Sequence, residues 1–302
     1  MTPTQEHNPT VRNAMTVDVE DYFQVQAFAP CIRRATWDSI PRRVEENVER
    51  VLALFDRAGV RATFFTLGWI AVRHPKMIRR IVSAGHELAS HGWDHTRADV
   101  QKPDIFLADV YRTRETLEEI GGTSVVGYRA ATFSIGAGNL WAFKMLMKAG
   151  YRYSSSINPI THDLYGMPNA SRLPFRPDGL PIWEIPMTTV RVLGRNWPCS
   201  GGGYFRLLPS ILYRKGLARV NQIERMPGIF YFHPWELDPD QPRVAGCGWK
   251  SRLRHYTNLS GMADDLERIL HEFSWGRMDA VYQRLLDEPL SLTDVSDAVA
   301  LS

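Results

Sequence analysis

Two histidines, His91 and His95, stand four residues apart in the stretch 90–95, Ser-His-Gly-Trp-Asp-His. On a helical turn, residues i and i+4 lie on one face, so both imidazoles could reach one metal ion. Two histidines are too few for a metal site, and a carboxylate normally completes such a set while other positions stay open for water. The alternative is a surface loop with solvated imidazoles, because short motifs often occur by chance.

Candidate carboxylates follow the apolar stretch 13–19, which is typical of a short buried strand. Because side chains alternate along a strand, Asp18 and Glu20 project to one side, whereas Asp21 projects to the other. The valines and aromatic residues around this cluster indicate that its carboxylates are partly buried, and buried carboxylates require partners. We therefore expect Glu20 to join the two histidines as the acidic metal ligand, with Asp21 as the alternative.

A divalent cation held in this way would lower the pKa of a bound water toward ~7. Asp18 could take a proton from that water, and Arg129 would keep Asp18 ionised, since an adjacent cation lowers a carboxylate pKa. His233 could protonate a leaving nitrogen or oxygen. Taken singly, Arg129 could be a surface cation and His233 a core histidine. Their joint occurrence at successive predicted strand ends favours metal-assisted hydrolysis of an amide or ester.

Alternating strands and helices position these residues. Strands are predicted at 13–19, 60–67, 86–90, 124–128 and 151–157. Helices with apolar residues at helical spacing are predicted at 44–55, 75–82, 104–120 and 140–148. This βαβα rhythm favours a parallel sheet, and parallel α/β folds place their sites at the carboxyl ends of the strands. We expect an α/β fold with a single-domain, distorted (β/α) barrel.

The second half of the chain is less regular. We predict, in order, a short strand at 183–186, a helix at 208–225, a strand at 228–232, a polar loop at 237–258, an amphipathic helix at 259–273 and a closing strand at 279–283. The triple glycine at 201–203 lacks the Lys-Ser/Thr pair and the following helix of a phosphate loop, so we expect a close backbone approach there. We predict a disordered lead-in at 1–12, the barrel at 13–285 and a tail at 286–302.

Composition limits the class of protein. The chain has 302 residues, 44% of them hydrophobic, and a formal charge of +3, which is too small to indicate binding to nucleic acid or to an anionic membrane. Its three cysteines are widely spaced and predict neither a disulfide framework nor a thiolate zinc site. The polar N-terminus lacks a signal pattern, and no stretch approaches the ~20 apolar residues of a membrane span. Cytoplasmic residence is the expectation, and the sequence does not indicate an oligomeric state.

Four segments carry the candidate residues in order: Thr16-Val17-Asp18 with Glu20, the stretch 90–95, Tyr128-Arg129-Ala130-Ala131, and Tyr231-Phe232-His233. In order and spacing they resemble the motifs of the polysaccharide deacetylase family, carbohydrate esterase family four. The stretches 18–23, 201–209 and 233–239 are similar to the subgroup associated with exosortase and exopolysaccharide loci.

This resemblance implies a distorted (β/α) barrel, a zinc-type divalent metal and removal of acetyl groups from N-acetylated amino sugars of an exopolysaccharide or its precursor. It implies that Asp18 is the base, that His233 is the acid, and that an acidic residue of the first motif binds the metal with His91 and His95. A backbone N–H near Thr132 would help to bind the oxyanion. We expect Trp235 to contact the substrate.

Three positions depart from the family pattern. The first motif usually has adjacent aspartates, whereas Val19 follows Asp18 here; strand geometry then favours Glu20 as the ligand. Ala131 stands in a turn that usually contains proline after the arginine, and Ser154 replaces an expected acidic residue. These departures motivate an alternative function, a catalytically silent glycan-binding barrel. Hydrolysis of a small cyclic amide is a second alternative, and glycoside hydrolysis by Glu184 and Glu236 ranks last, because it would leave the histidines without a role.

Overall fold

The computed structural model describes residues 11–288, and a curved parallel sheet surrounded by helices forms its framework. The strands of the described chain are β1 (Arg12–Val19), β2 (Thr63–Thr66), β3 (Glu87–Ser90), β4 (Gly127–Tyr128), β5 (Tyr153–Ser154), β6 (Trp183–Glu184), β7 (Thr189–Val192), β8 (Arg195–Pro198), β9 (Ile229–Phe232) and β10 (Ser274–Gly276). The helices are α1 (Val44–Arg57), α2 (Gly68–Arg73), α3 (Pro75–Ser83), α4 (Pro103–Gly121), α5 (Trp141–Lys148), α6 (Gly202–Leu207), α7 (Ser210–Gln222), α8 (Trp249–Tyr256), α9 (Leu259–Glu272), α10 (Met278–Val281) and α11 (Gln283–Leu286).

The first strand is the centre of the sheet. β1 pairs in parallel with β2, β9 and β10, and the sheet continues through β3, β4 and β5 to β6. The sheet does not close between its edge strands β6 and β9. The Tyr231 N–H in β9 donates to the carbonyl of Ser200 at 2.7 Å, so the segment before α6 covers part of this opening. The predicted α/β class with a distorted (β/α) barrel is confirmed as a parallel half-barrel sheet with helices outside it.

Side chains alternate between two apolar layers along each strand. On β1, Met15, Val17 and Val19 pack outward against the helices, whereas Ala14 joins an inner cluster. That inner cluster includes Phe65, Ala89, Tyr153, Ile229 and Tyr231. Because side chains on a strand have a period of two, Asp18 shares the inner side with Ala14, and His233 shares it with Tyr231.

Most of the predicted elements are present, usually with shorter strands. α3 begins at Pro75 as expected, because proline is preorganised for the first helical turn and its missing N–H leaves no bond unmade. α1 and α9 each bury one apolar stripe against the sheet. The strand pairing begins at Arg12; the rest of the predicted lead-in and residues 289–302 of the predicted tail lie outside the described residues.

Three predictions in the second half are wrong, and one hairpin was not predicted. The predicted closing strand at 279–283 is helical in α10 and α11, and the strand that pairs with β1 is Ser274–Gly276, directly after α9. The predicted polar loop contains α8, and the stretch after β6 forms the antiparallel hairpin of β7 and β8. A short helix, α6, follows the triple glycine. The expected close approach there is present, because a Cβ on Gly201 would lie 2.4 Å from the carbonyl oxygen of Tyr231.

The expectation that the cysteines form no disulfide is also wrong. Cys31 and Cys247 are bonded, with their Cα atoms 5.6 Å apart, and Cys199 is free and buried. The two partners are 216 residues apart in sequence, a separation at which cysteine spacing carries no pairing signal.

Candidate active site

A cavity of about 170 Å³ opens at the carboxyl ends of β1, β3 and β9. Its lining includes most of the residues singled out from sequence, namely Asp18, Glu20, His91, His95, Thr132, His233 and Trp235. Parallel strands end at one edge of a sheet, which is why residues more than two hundred positions apart meet here.

Glu20, His91 and His95 form a buried cluster whose potential ligand atoms lie within 4.8 Å of one another. Glu20 Oε1 lies 3.1 Å from His91 Nε2 and 3.0 Å from His95 Nε2. Burial by itself raises the pKa of Glu20. The neighbouring His95, His233 and His91 have the larger combined effect and hold this pKa well below its ordinary value. The group that faces the two imidazoles is therefore a carboxylate.

These residues fit a divalent cation of the zinc type. Two imidazole nitrogens and one carboxylate oxygen are a common zinc donor set. The backbone carbonyl of Arg129 accepts a hydrogen bond from His91 Nδ1 at 2.9 Å, which leaves Nε2 as the ligand atom of a neutral ring. Glu20 Oε2 is buried without a hydrogen-bond partner, so the carboxylate has coordination capacity that the protein itself does not use.

A loop, and not the helical turn that we predicted, brings the two histidines together. The backbone after β3 is irregular, and His95 adopts a left-handed conformation with φ of 59°. Trp93 packs over Gly68, where a Cβ would lie 2.4 Å from the indole. The backbone N–H of Trp93 donates to Asp109 Oδ1 at 3.2 Å. Arg34 donates to the carbonyl of His95 at 3.0 Å. Packing from three other segments therefore replaces the i, i+4 geometry.

Asp21, the alternative ligand, points away from the histidines. Its Oδ2 accepts backbone N–H groups from Arg43 at 2.8 Å and Val44 at 3.1 Å, at the beginning of α1. Burial raises its pKa to about 6, although these hydrogen bonds oppose that shift. The strand alternation in the sequence anticipated this division, with Glu20 on the inner side and Asp21 on the outer side.

Arg129 holds Asp18 at the centre of the site. Arg129 Nη1 donates to Asp18 Oδ1 at 2.6 Å and to Thr16 Oγ1 at 2.8 Å, and its Nε donates to the carbonyl of Ser155 at 3.2 Å. The guanidinium is fully buried over the ring of Phe65. The guanidinium fixes one oxygen of Asp18 and leaves the other oxygen for a substrate or water.

His233 belongs to a buried chain of charges that sequence reasoning missed. Glu236 Oε1 accepts from His233 Nδ1 at 2.8 Å, and Arg206 Nε donates to Glu236 Oε2 at 2.5 Å. Burial by itself lowers the pKa of His233. The charges of Glu20 and Glu236 have the larger effect and raise this pKa to about 9. Burial by itself raises the pKa of Glu236. Arg206 and His233 have the larger effect and lower this pKa to about 2. The only sequence signal for this chain was the i, i+3 spacing of His233 and Glu236.

Glu184 places a carboxyl beside the position where Ser154 departs from the family pattern. Strand β6 pairs with β5 so that Ser154 lies opposite Glu184, whose Oε1 accepts the N–H groups of Ser156 at 2.9 Å and Ile157 at 2.7 Å. Burial raises the pKa of Glu184 to about 7, although Ser154 and the positive charge of Arg129 oppose that shift. A buried acid is thus present in this layer, contributed by the next strand.

Thr132 and Trp235, the two residues predicted to contact substrate, both line the cavity. Thr132 adopts a left-handed conformation with φ of 56° directly after β4. Trp235 is only 4% exposed, and its indole stacks on His233 on one side and on His255 on the other. The main contacts of Trp235 therefore hold the His233 imidazole in position.

Two family models together match most of the chain. Residues 34–154 match the model described as polysaccharide deacetylase, and residues 155–283 match one described as a domain of unknown function, DUF3473. A peptidoglycan deacetylase of Helicobacter pylori is 28% identical over 122 residues, which cover 37% of this chain and 38% of that protein. The chain thus matches less than half the length of this curated relative.

Solved structures share the fold over nearly the whole chain. A protein of Mycobacterium smegmatis described as a polysaccharide deacetylase is 20% identical with a TM-score of 0.60, and the match covers 93% of this chain and 92% of that one. Puue allantoinase is 16% identical with a TM-score of 0.57, and the match covers 90% of this chain and 89% of that one. At such identities these likenesses establish the fold alone.

Proposed function

Because the chain belongs to the polysaccharide deacetylase family of amide hydrolases, we propose that it is a metal-dependent N-deacetylase that removes acetyl groups from N-acetylated amino sugars. The observation that carries this proposal is the convergence of a Glu-His-His cluster, an arginine-bound aspartate and a carboxylate-bound histidine on one cavity. Such a set can bind a cation, accept a proton and donate a proton within one site.

Glu20, His91 and His95 would hold the cation, which we propose to be zinc. When bound, such a cation acts as a Lewis acid and lowers the pKa of a coordinated water toward ~7. The ionised carboxylate of Glu20 and the Nε2 atoms of the two histidines supply its ligands, and His91 is kept in the required tautomer by the carbonyl of Arg129. The open side of the cavity leaves room for water and substrate.

Asp18 takes the proton of the attacking water, and Arg129 keeps the aspartate oriented while it does so. His233, directly after the neighbouring strand β9, gives a proton to the leaving amine, because its raised pKa keeps the imidazole protonated near neutral pH. The backbone N–H of Thr132 is the candidate donor for the oxyanion, since this residue lines the same cavity in an unusual backbone conformation.

The substrate class that we propose is an exopolysaccharide or its precursor. Curated relatives that act on peptidoglycan support a glycan substrate in general. The narrower proposal depends on the resemblance of the stretches 18–23, 201–209 and 233–239 to the exopolysaccharide-associated subgroup. These stretches contribute Glu20, which lines the cavity, and Arg206 and Glu236, which hold His233 in place beside it.

The experiment measures metal content and acetate release together on the full chain. We expect about one divalent ion per chain, as a site of this type binds, and acetate release from N-acetylglucosamine oligomers. Asp18→Asn should retain the ion but lose acetate release, because Asp18 is not among the ligands. The control, Asp104→Asn, changes an exposed aspartate in α4 and should leave the activity unchanged.

Three outcomes would contradict the proposal. Undiminished acetate release by Asp18→Asn would refute the role of this residue as the base. Glycan binding without acetate release by the metal-loaded chain would favour a silent glycan-binding barrel. Hydrolysis of allantoin, with no acetate released from any glycan, would favour the cyclic amide alternative.

A further inference from the structure

The antiparallel hairpin of β7 and β8 carries an apolar tip that nothing in the described chain covers. Leu193 at the tip is 97% exposed, and Trp197 on the second strand is 55% exposed. Leu193 and Gly194 both have positive φ, 50° and 76°, as the two-residue turn of a tight hairpin requires. Asparagine or glycine suits the first of these positions, so Leu193 adopts a backbone conformation that is unfavourable for leucine. Its side chain is not buried by any residue of the described chain.

The apolar surface continues beyond the hairpin. Trp197 lines a groove of about 1080 Å³ together with Leu208, and α7 begins two residues later with Ile211 and Leu212 exposed in its first turn. Helix α7 packs on the hairpin, since a Cβ on Gly216 would lie 2.8 Å from Cys199 Sγ. We define the hairpin tip and this helix start as the docking surface, formed by Val192, Leu193, Trp197, Leu207, Leu208, Ile211 and Leu212.

The segment that carries the docking surface contains cations and no acidic residue. The stretch 185–223 contains six of the 36 lysines and arginines of the chain and none of its 33 aspartates and glutamates. Two of these cations are engaged elsewhere, Arg206 with Glu236 and Arg214 with Glu272. The other four, Arg191, Arg195, Lys215 and Arg219, are exposed.

We propose that this docking surface binds the face of an anionic lipid bilayer. Exposed leucine, isoleucine and tryptophan beside arginine and lysine are the combination that inserts at a membrane interface, where the apolar side chains enter the headgroup boundary and the cations meet anionic lipid. A glycan would contact an aromatic face and polar groups and would have no need of six exposed aliphatic side chains. No described helix is long and apolar enough to cross a bilayer.

The docking surface also adjoins the candidate active site. The ring of Tyr204 in the groove lies 6.3 Å from His162, which stacks on Tyr165 at 4.0 Å, and Tyr165 lines the catalytic cavity. A chain bound to a bilayer through this surface would hold the cavity close to the headgroups. That consequence depends on the proposed function, whereas the binding itself does not.

The test is flotation of the purified full chain with vesicles. We expect binding to vesicles of equimolar phosphatidylglycerol and phosphatidylcholine and little binding to phosphatidylcholine alone. Arg191→Gln with Arg195→Gln should weaken binding by about five-fold for each cation removed. Raising the ionic strength from about 0.1 M to about 1 M should weaken it as well, because the Debye length falls from ~10 Å to ~3 Å.

Matched variants separate the surface from general stickiness. Leu193→Ser with Trp197→Ser should lose vesicle binding, whereas Val100→Ser with Trp249→Ser, which are 72% and 71% exposed on other elements, should retain it. Arg57→Gln with Arg79→Gln is the charge control. Equal binding of all variants, or no binding to the anionic vesicles, would overturn the proposal. The proposal would also be overturned if the chain self-associates but does not bind vesicles, and if Leu193→Ser with Trp197→Ser abolishes that self-association. The surface would then bind a second copy of the chain. None of these measurements requires enzymatic activity.

Discussion

Replacing Glu236 by glutamine isolates the effect of one charge on His233. Glu236 Oε1 lies 2.8 Å from His233 Nδ1 and also accepts the backbone N–H of His233 at 3.0 Å. Glutamine has nearly the same shape and keeps an oxygen that can accept both hydrogen bonds. Arg206 would retain its hydrogen bonds to the carbonyls of three residues, Arg254, His255 and Thr257. The variant therefore removes the negative charge while preserving the imidazole orientation.

The size of the effect follows from the pKa of His233. Burial lowers this pKa, but the charges of Glu20 and Glu236 raise it to about 9. An opposite charge at hydrogen-bond distance shifts a pKa by ~1–3 units, which corresponds to ~1.4–4 kcal/mol. A cation bound beside Glu20 would lower the pKa of His233 in both proteins, so the difference between them is the informative quantity.

The sign of the pH dependence is fixed by the role of His233 as proton donor. Its raised pKa means that the protonated imidazole is present below that pKa and is lost as the pH rises through it. Loss of the Glu236 charge should move the alkaline limb of kcat about 1–3 units toward acid. We therefore expect kcat of Glu236→Gln to fall by ~2-fold to ~100-fold near pH 8 and by at most ~2-fold near pH 6.

Initial rates of acetate release from about pH 6 to about pH 9 measure this difference. The control is Glu224→Gln, because Glu224 also pairs with an arginine, Arg172 at 2.7 Å, but does not line the catalytic cavity. A merely structural role for Glu236 would lower kcat by the same factor at every pH. Parallel pH profiles for the variant and the wild type would refute the reasoning.

Two further predictions concern stability. Burial raises the pKa of Glu184 to about 7. The stability contributed by its protonated form is therefore present below its unfolded pKa of 4.5 and is lost as the pH rises through 7. Glu184→Gln should then raise the free energy of unfolding at pH 8 by at most about 3 kcal/mol and give no gain near pH 4. Urea unfolding at the two pH values measures this, and no gain at pH 8 would contradict it. Cys31→Ser should lower the free energy of unfolding by ~2–4 kcal/mol without reductant and should match the wild type with reductant. A wild type equally stable with and without reductant would contradict the disulfide.

Local sequence patterns predicted the elements that carry the site. Period-two alternation along β1 placed Asp18 and Glu20 on one side and Asp21 on the other, and the structure shows that division. Strand ends predicted where Arg129 and His233 would stand, because parallel strands share one carboxyl edge. These inferences worked because the alternation and the strand ends are local properties of the backbone.

Contacts between distant segments were not predictable in this way. Arg206 meets Glu236 across 30 residues, and Cys31 meets Cys247 across 216, with no periodicity to link either pair. The helical turn expected for His91 and His95 failed for a related reason, since Trp93 packing on Gly68 decides the path of that loop. A polar composition also concealed α8, whose buried contact is the single residue His255.

The candidate site is divided among three parts of the chain. Residues 34–154, which match the polysaccharide deacetylase model, contribute the two histidines of the candidate metal cluster and Arg129, but Asp18 and Glu20 lie before that segment. His233 lies in residues 155–283, together with the Arg206 and Glu236 side chains that hold it. Each segment thus lacks a group that the proposed reaction needs: a base, a set of ligands or an acid. The segment of unknown function therefore supplies part of the candidate site.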